Sequence, residues 1–165
     1  MRKIWLLPLA LLAGCDTGPS EDEQAAADAR DVAMVEAAND VKPPLKEVTP
    51  DPIMLSDIEQ FDLFGEACNY APGTSFGTRV IARASDAFLK VDGEVVRLAA
   101  DPGSRELPVH SRTLYSGKEY SLRLALSGDG SNTPTEPGKY EGSVTLRDQY
   151  GRVVYEGTGY AECKS

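Results

Sequence analysis

Between residues 120 and 127 the chain alternates without a break. Tyr120, Leu122, Leu124 and Leu126 are interleaved with Ser121, Arg123, Ala125 and Ser127. A period of two sends one set to a buried face and the other to solvent, so the segment predicts a half-buried strand. Residues 140–147 repeat the pattern, with Tyr140, Gly142, Val144 and Leu146 against Glu141, Ser143, Thr145 and Arg147. Residues 148–151 then form a turn, and residues 153–163 return as a further strand. Gly157 and Gly159 inside that strand predict a bulge or a coiled corner. Upstream, residues 88–91 and 94–98 flank Asp92-Gly93, a pair that tolerates the positive φ of a tight hairpin turn. With residues 78–83 added, about six antiparallel strands result. Their one-sided alternation predicts a mainly β fold, a small antiparallel barrel or a sandwich around one core. Two longer polar loops, 101–112 and 128–138, interrupt it, and the chain has no internal repeats.

Before residue 56 the period of two is absent. Ser56-Asp57-Ile58-Glu59 has the spacing of a capping box and predicts a short helix over 57–63. Pro43, Pro44, Pro50 and Pro52 make the preceding stretch a stiff spacer. Residues 24–38 are rich in alanine, with Val32, Met34 and Val35 among acids; they predict a solvated helix that Asn39 ends. Residues 16–24 are polar, acidic and aperiodic, and read as disordered. The organisation expected is therefore a leader over 1–14, an acidic, proline-rich tether over 15–55 and a β domain over 56–165.

Charge sharpens this division. Residues 16–62 carry thirteen acids against Arg30, Lys42 and Lys46, whereas residues 63–165 carry thirteen acids against twelve bases. The acidity belongs to the tether, and the β region is nearly neutral. No cluster of Lys and Arg with interleaved aromatics occurs, which argues against a nucleic-acid partner.

The first fifteen residues supply an address. Arg2 and Lys3 precede an apolar run over 4–12, far shorter than the ~20 residues of a membrane span, and small residues then lead into Cys15. This is the layout of a secretory signal. Leu12-Ala13-Gly14-Cys15 resembles the lipobox of bacterial lipoproteins. The resemblance implies that Cys15 is acylated, becomes the first residue of the mature chain and anchors it in the cell envelope, facing the periplasm, on either the inner or the outer membrane. Cys68 and Cys163 then remain as an even pair in an oxidising compartment, and a disulfide between them would close the β domain near its two ends.

Catalytic chemistry is sparse. His110 is the only histidine, with neither C-x-x-C nor H-E-x-x-H near it, so neither a metal nor another cofactor is expected. Glu106 beside His110 offers an acid–base pair, but no nucleophile is placed to use it. Asp129-Gly130-Ser131-Asn132 carries oxygen ligands without the full carboxylate spacing of a calcium loop, and reads as a turn. Tyr115, Tyr120, Tyr140, Tyr150, Tyr155 and Tyr160 are expected mostly to pack one face of the strands, leaving one or two exposed to anchor a partner.

Ser116-Gly117-Lys118-Glu119-Tyr120 is similar to the S-G-x-x-Y loop of the membrane-bound inhibitors of C-type lysozyme, and Glu162-Cys163-Lys164 to that family's C-terminus. The resemblance implies a small antiparallel barrel that inserts Ser116 into the lysozyme cleft, with Gly117, Lys118 and Tyr120 around it. The family's second element, a lysine directly before glycine, is not matched; Lys139-Tyr140-Glu141-Gly142 displaces the lysine. The sequence therefore leads to a non-catalytic envelope lipoprotein whose β domain binds an envelope protein or glycan. An inhibitor of lysozyme and a purely structural protein are the alternatives. The anchor is directly testable: Cys15→Ala is expected to abolish acylation and accumulate unprocessed precursor. Labelled fatty acid retained by that variant would refute it.

Overall fold

The alternation at 120–127 and 140–147 marks the two central hairpin strands of a closed, eight-stranded antiparallel barrel. The computed structural model describes residues 18–39, 41–75, 77–131 and 138–164, with backbone alone for 129–131. The leader, Cys15 and part of the 128–138 loop, including the Asp129–Asn132 side chains, lie outside the described residues. The strands are β1 (Ala67–Pro72), β2 (Val80–Ala82), β3 (Asp86–Val91), β4 (Glu94–Ala100), β5 (Leu114–Ser116), β6 (Tyr120–Ser131), β7 (Lys139–Asp148) and β8 (Val153–Lys164). Each pairs with the next, and β8 returns to pair with β1. The fold is thus a barrel and not a sandwich. Of the eight strands, β1 and β5 have no counterpart among those expected from the sequence.

The interior is filled by the apolar set of each strand, including Tyr70, Leu89, Leu98, Leu122, Leu124, Val144 and Leu146, all buried. The outward set is polar, as Arg123, Glu141, Arg147 and Glu156 illustrate. This order of faces is opposite to that of a barrel embedded in lipid. No helix among the described residues is long and apolar enough to cross a membrane. The bulge in β8 lies near Val154, where the β7 register shifts between Leu146 and Arg147, and not at the glycines. Gly157 instead leaves room for the Tyr155 and Tyr70 hydroxyls, and Gly159 for the backbone of residues 71–73.

Strands β2 and β3 are buried on both faces. Outside the barrel, Ile81, Phe88 and Ala67 pack with Ile53 and Leu63, beneath a short helix, α2 (Leu55–Phe61). That helix begins two residues earlier than the capping box at Ser56 predicts. Asp57 is the residue that caps it, its Oδ2 accepting the Met54 N–H at 2.8 Å. The same carboxylate takes the Lys90 ammonium at 2.9 Å. The Lys90 hydrogen bond, with the Met54 N–H next, holds the Asp57 carboxyl below its ordinary pKa.

The compact barrel unit starts at Pro44, so residues 44–55 belong to it rather than to a free spacer. They form a strap: Val48 N–H donates to Val154 O at 3.0 Å, Asp51 N–H to Lys90 O at 2.7 Å and Ile53 N–H to Thr78 O at 2.9 Å. Pro50 is fully buried, and its carbonyl accepts Arg79 Nη1 at 2.6 Å. In the preceding unit α1 (Glu21–Asn39) buries no side chain, as a solvated helix requires, but it starts earlier than expected. Ser20 and Glu23 form a reciprocal cap there, and three acids in the first turn favour that end of the helix dipole.

Cys68 and Cys163 face each other across the β1–β8 ladder and are bonded, with Cα atoms 3.9 Å apart and a separation of 95 positions in sequence. Ser111 Oγ donates to Cys68 Sγ at 3.2 Å, so the 101–112 loop folds over the bond. A second fixed point is Asp86, its side chain almost wholly buried and shared by Arg83 Nε at 2.7 Å and Arg97 Nη2 at 2.8 Å. Burial pushes the Asp86 pKa up, but the hydrogen bonds and charges of the two arginines together prevail and hold it below the ordinary value.

Two outcomes follow for stability. Reducing the disulfide is expected to cost about 4 to 5 kcal/mol in the chain-entropy account, read as a fall in melting temperature that Cys68→Ala/Cys163→Ala reproduces. Asp86→Ala is expected to cost about 2–3 kcal/mol near neutral pH, from the three charged hydrogen bonds lost to Arg83 and Arg97. Because the folded pKa is lowered, this contribution is present above the unfolded carboxylate pKa of about 3.9 and is lost as pH falls through the folded pKa. Denaturant titrations of the two proteins should therefore converge in acid; a gap that stays constant would exclude this ion pair as its source.

Candidate functional site

The turn between β5 and β6 is built by close packing. Gly117 N–H donates to Tyr120 O at 2.8 Å and closes it. A Cβ at Gly117 would lie 2.6 Å from Leu98 Cδ2, so any larger residue there must displace the buried Leu98 side chain. Ser116, Lys118 and Glu119 are exposed and Tyr120 is half-buried against the interior. Ser116 pairs with Ser121 at the start of β6. The sequence-predicted loop is therefore a rigid hairpin tip presenting one hydroxyl and one ammonium, with Glu119 adding a carboxylate beside them.

Lys139 does not join this tip. Tyr120 stands opposite Asp148 on β7, and Lys139 is at the other end of that strand, roughly 30 Å away at the rise of an extended chain. Its ammonium lies 4.8 Å from the centre of the Tyr160 ring. The cations near Ser116 are arginines instead. Ser121 is opposite Arg147 and Arg123 opposite Thr145, all on the outward face by the period of two. With Leu114, Ser116 and Asp101 they line an open groove of about 470 Å³. Arg147 Nη1 is tied to Gly151 O at 2.9 Å. The Arg123 guanidinium has no hydrogen-bond or ion-pair partner among the described residues. Two guanidinium groups over three hydroxyls form a surface suited to a carboxylate or another planar anion.

The groove was not legible in the sequence. Ser116, Arg123 and Arg147 lie on three different strands, and only the register brings them together. The one available signal was that Arg123 and Arg147 both occupy outward positions of clearly alternating strands.

The structure does bring Glu106 and His110 together, with Nδ1 and Oε1 2.8 Å apart. Arg112 holds the other carboxylate oxygen at 3.3 Å. The hydrogen bond from His110, then the Arg112 charge, keep Glu106 below its ordinary pKa. Both members of the pair stand in solvent, His110 at 72% exposure. The backbone beneath them is strained, because Val109 and His110 both take positive φ, 51° and 61°. Leu107 N–H to Ser111 O at 2.8 Å and Ser111 N–H to Pro108 O at 3.2 Å pin the loop in that shape.

The tyrosines divide as expected. Tyr115 is buried, its hydroxyl donating to Arg83 O at 2.9 Å and accepting Arg112 N–H at 2.6 Å, and burial raises its pKa. Tyr150 and Tyr160 are exposed. Tyr70, on the unanticipated β1, is fully buried. No group of three or more His, Cys, Asp or Glu among the described residues is arranged to hold a metal ion. No protein-family model, no curated protein and no solved structure matches the chain.

Proposed function

We propose that this chain is a bacterial cell-envelope lipoprotein, anchored through Cys15 and facing the periplasm, whose barrel is a non-catalytic binding module. The observation that carries the reading is the open groove of Arg123, Arg147, Ser116, Ser121 and Thr145 beside a rigid hairpin tip. A stiff scaffold that displays uncommitted polar groups is the usual construction of a binding surface. The Glu106–His110 pair stands in solvent rather than sheltered in a cleft, which favours binding over catalysis.

One observation favours a sharper version, inhibition of C-type lysozyme. The lysozyme cleft works with a carboxylic acid and a carboxylate, and an inhibitor must present donors to both. Lys139 is too distant to assist Ser116, but Arg123 and Arg147 share its groove and supply the missing positive charge from a different position. The fold is also an antiparallel barrel with a disulfide, as the resemblance implies. Full-length protein titrated against a C-type lysozyme at low salt is expected to slow cell-wall lysis. Ser116→Ala and Arg123→Glu should each weaken inhibition by about tenfold or more. Undiminished lysis at large molar excess would remove lysozyme as the target.

A further inference from the structure

A second surface, distinct from the arginine groove, lies on the outward face of β1, β8, β7 and the far half of β6. Tyr160 stands there 44% exposed, directly opposite Glu141, with Ser143 opposite Thr158 in the next row. Ser127 lies opposite Glu141 on the third strand. With Thr74 these residues surround an open depression of about 410 Å³ floored by Gly142 and Gly159. On the other side of Tyr160 a second depression of about 330 Å³ is lined by Asn69, Thr78, Lys139 and Glu162, among others. The tyrosine ring is the wall between them. Lys139 lines the second depression and lies 4.8 Å from the ring centre. Lys139 is not among the residues that line the first.

We propose that this surface binds a neutral pyranose oligosaccharide, one sugar ring stacking on Tyr160 above the Gly142–Gly159 floor and the next occupying the depression beside Lys139. A pyranose has an apolar C–H face and a rim of hydroxyls. An aromatic ring matches the face, since its negative π-cloud attracts C–H groups. The hydroxyls of Ser127, Ser143, Thr158 and Thr74 and the Glu141 carboxylate match the rim. Other occupants fit less well. Among the described residues no large aliphatic side chain lines the first depression to receive an apolar peptide residue, and the strands beneath it are paired on both sides, leaving no edge for strand addition. Among the described residues Glu141 is its one carboxylate, and it repels an anion. Beside the second depression Glu162 is ion-paired with Lys164 at 2.7 Å; with Lys139 and Glu141 added the charges balance, so the surface as a whole calls for an uncharged ligand rich in hydroxyls.

This inference rests on the reading of the barrel as a binding module, and it specifies a different ligand and a different face from the lysozyme reading. The probes are chitotetraose and cellotetraose, offered to full-length protein in a non-glycosidic detergent and followed by saturation-transfer NMR. Saturation should reach the ring protons of at least one of them. Tyr160→Ala should weaken binding roughly tenfold, while Tyr160→Phe stays within about twofold, because the stacking face is retained. Glu141→Ala, at a solvent-facing position, is the second variant should Tyr160→Ala lower the melting temperature, and it too should weaken binding. Ser116→Ala should leave it unchanged. Absence of transfer to both sugars overturns the proposal, as does equal affinity in the Tyr160→Ala and Glu141→Ala proteins. Sugar binding that persists while lysozyme inhibition fails would retain the binding module and discard the inhibitor. The reverse pattern would retain the groove and discard the glycan surface.

Discussion

The ladder between β1 and β8 is the interaction on which this fold depends. Every other ladder joins strands consecutive in the chain, and these form locally. The β1–β8 pairing joins segments about ninety residues apart, so it bears the largest loop-closure cost. Until it forms, the sheet has two open edges and the inward apolar set, from Tyr70 to Leu146, faces water. The Cys68–Cys163 bond lies on this ladder, where a crosslink constrains the most chain, and the 101–112 loop is folded over it through Ser111. Strap and disulfide act at different places on the same closure: the bond secures β1 to β8 directly, and residues 48–53 link β8 to β3 and the β1–β2 loop.

Closure also explains where functional groups can reside. The buried side chains of the core fill the interior, and both candidate surfaces lie on the outside. On β6, β7 and β8 the period of two separates the duties cleanly. Inward positions are given to leucine, valine, small residues and the partly buried Tyr120, Tyr140 and Tyr155; outward positions have no part in the core and are open to arginine, hydroxyls, glutamate and Tyr160. The groove at Arg123 and Arg147 and the depressions beside Tyr160 are two stretches of this one outer face. They differ in charge because their ends of the strands differ in sequence.

What was legible in the sequence tracks how far each element is determined locally. β6 and β7 were evident because each has one wet and one dry face, and the Asp92-Gly93 turn because both residues take positive φ, 50° and 81°. β5 was not, since three residues cannot display a period. β1 was masked by Pro72 and by a cysteine whose partner is 95 residues away. The strap was read as a spacer because prolines resemble a spacer wherever they occur. The burial of Pro50 and the hydrogen bonds of Val48 and Asp51 are set by strands much later in the chain. The same holds for the candidate sites: the hairpin tip at 116–120 is a local motif and was visible, whereas the arginine groove and the tyrosine wall exist only through strand register. The capping boxes show the limit from the other side. Ser56 and Glu59 had the right spacing, but Asp57 was drawn to both Met54 and Lys90, and the helix begins where that carboxylate can satisfy both.

The strap has a mechanical meaning. A domain on a tether is loaded through its first attached residues, and in this barrel those are not a strand of the sheet. If the chain is anchored through Cys15 as proposed, tension arriving from residue 44 would meet the Lys46–Asp92 contact at 2.6 Å, then the Val48 and Asp51 backbone bonds and the buried Pro50, in sequence. These must yield before α2 feels the pull, and α2 before β1, which is itself crosslinked to β8. Under the proposed anchoring the strap would act as a strain relief, its few backbone bonds opening before any ladder of the barrel is loaded.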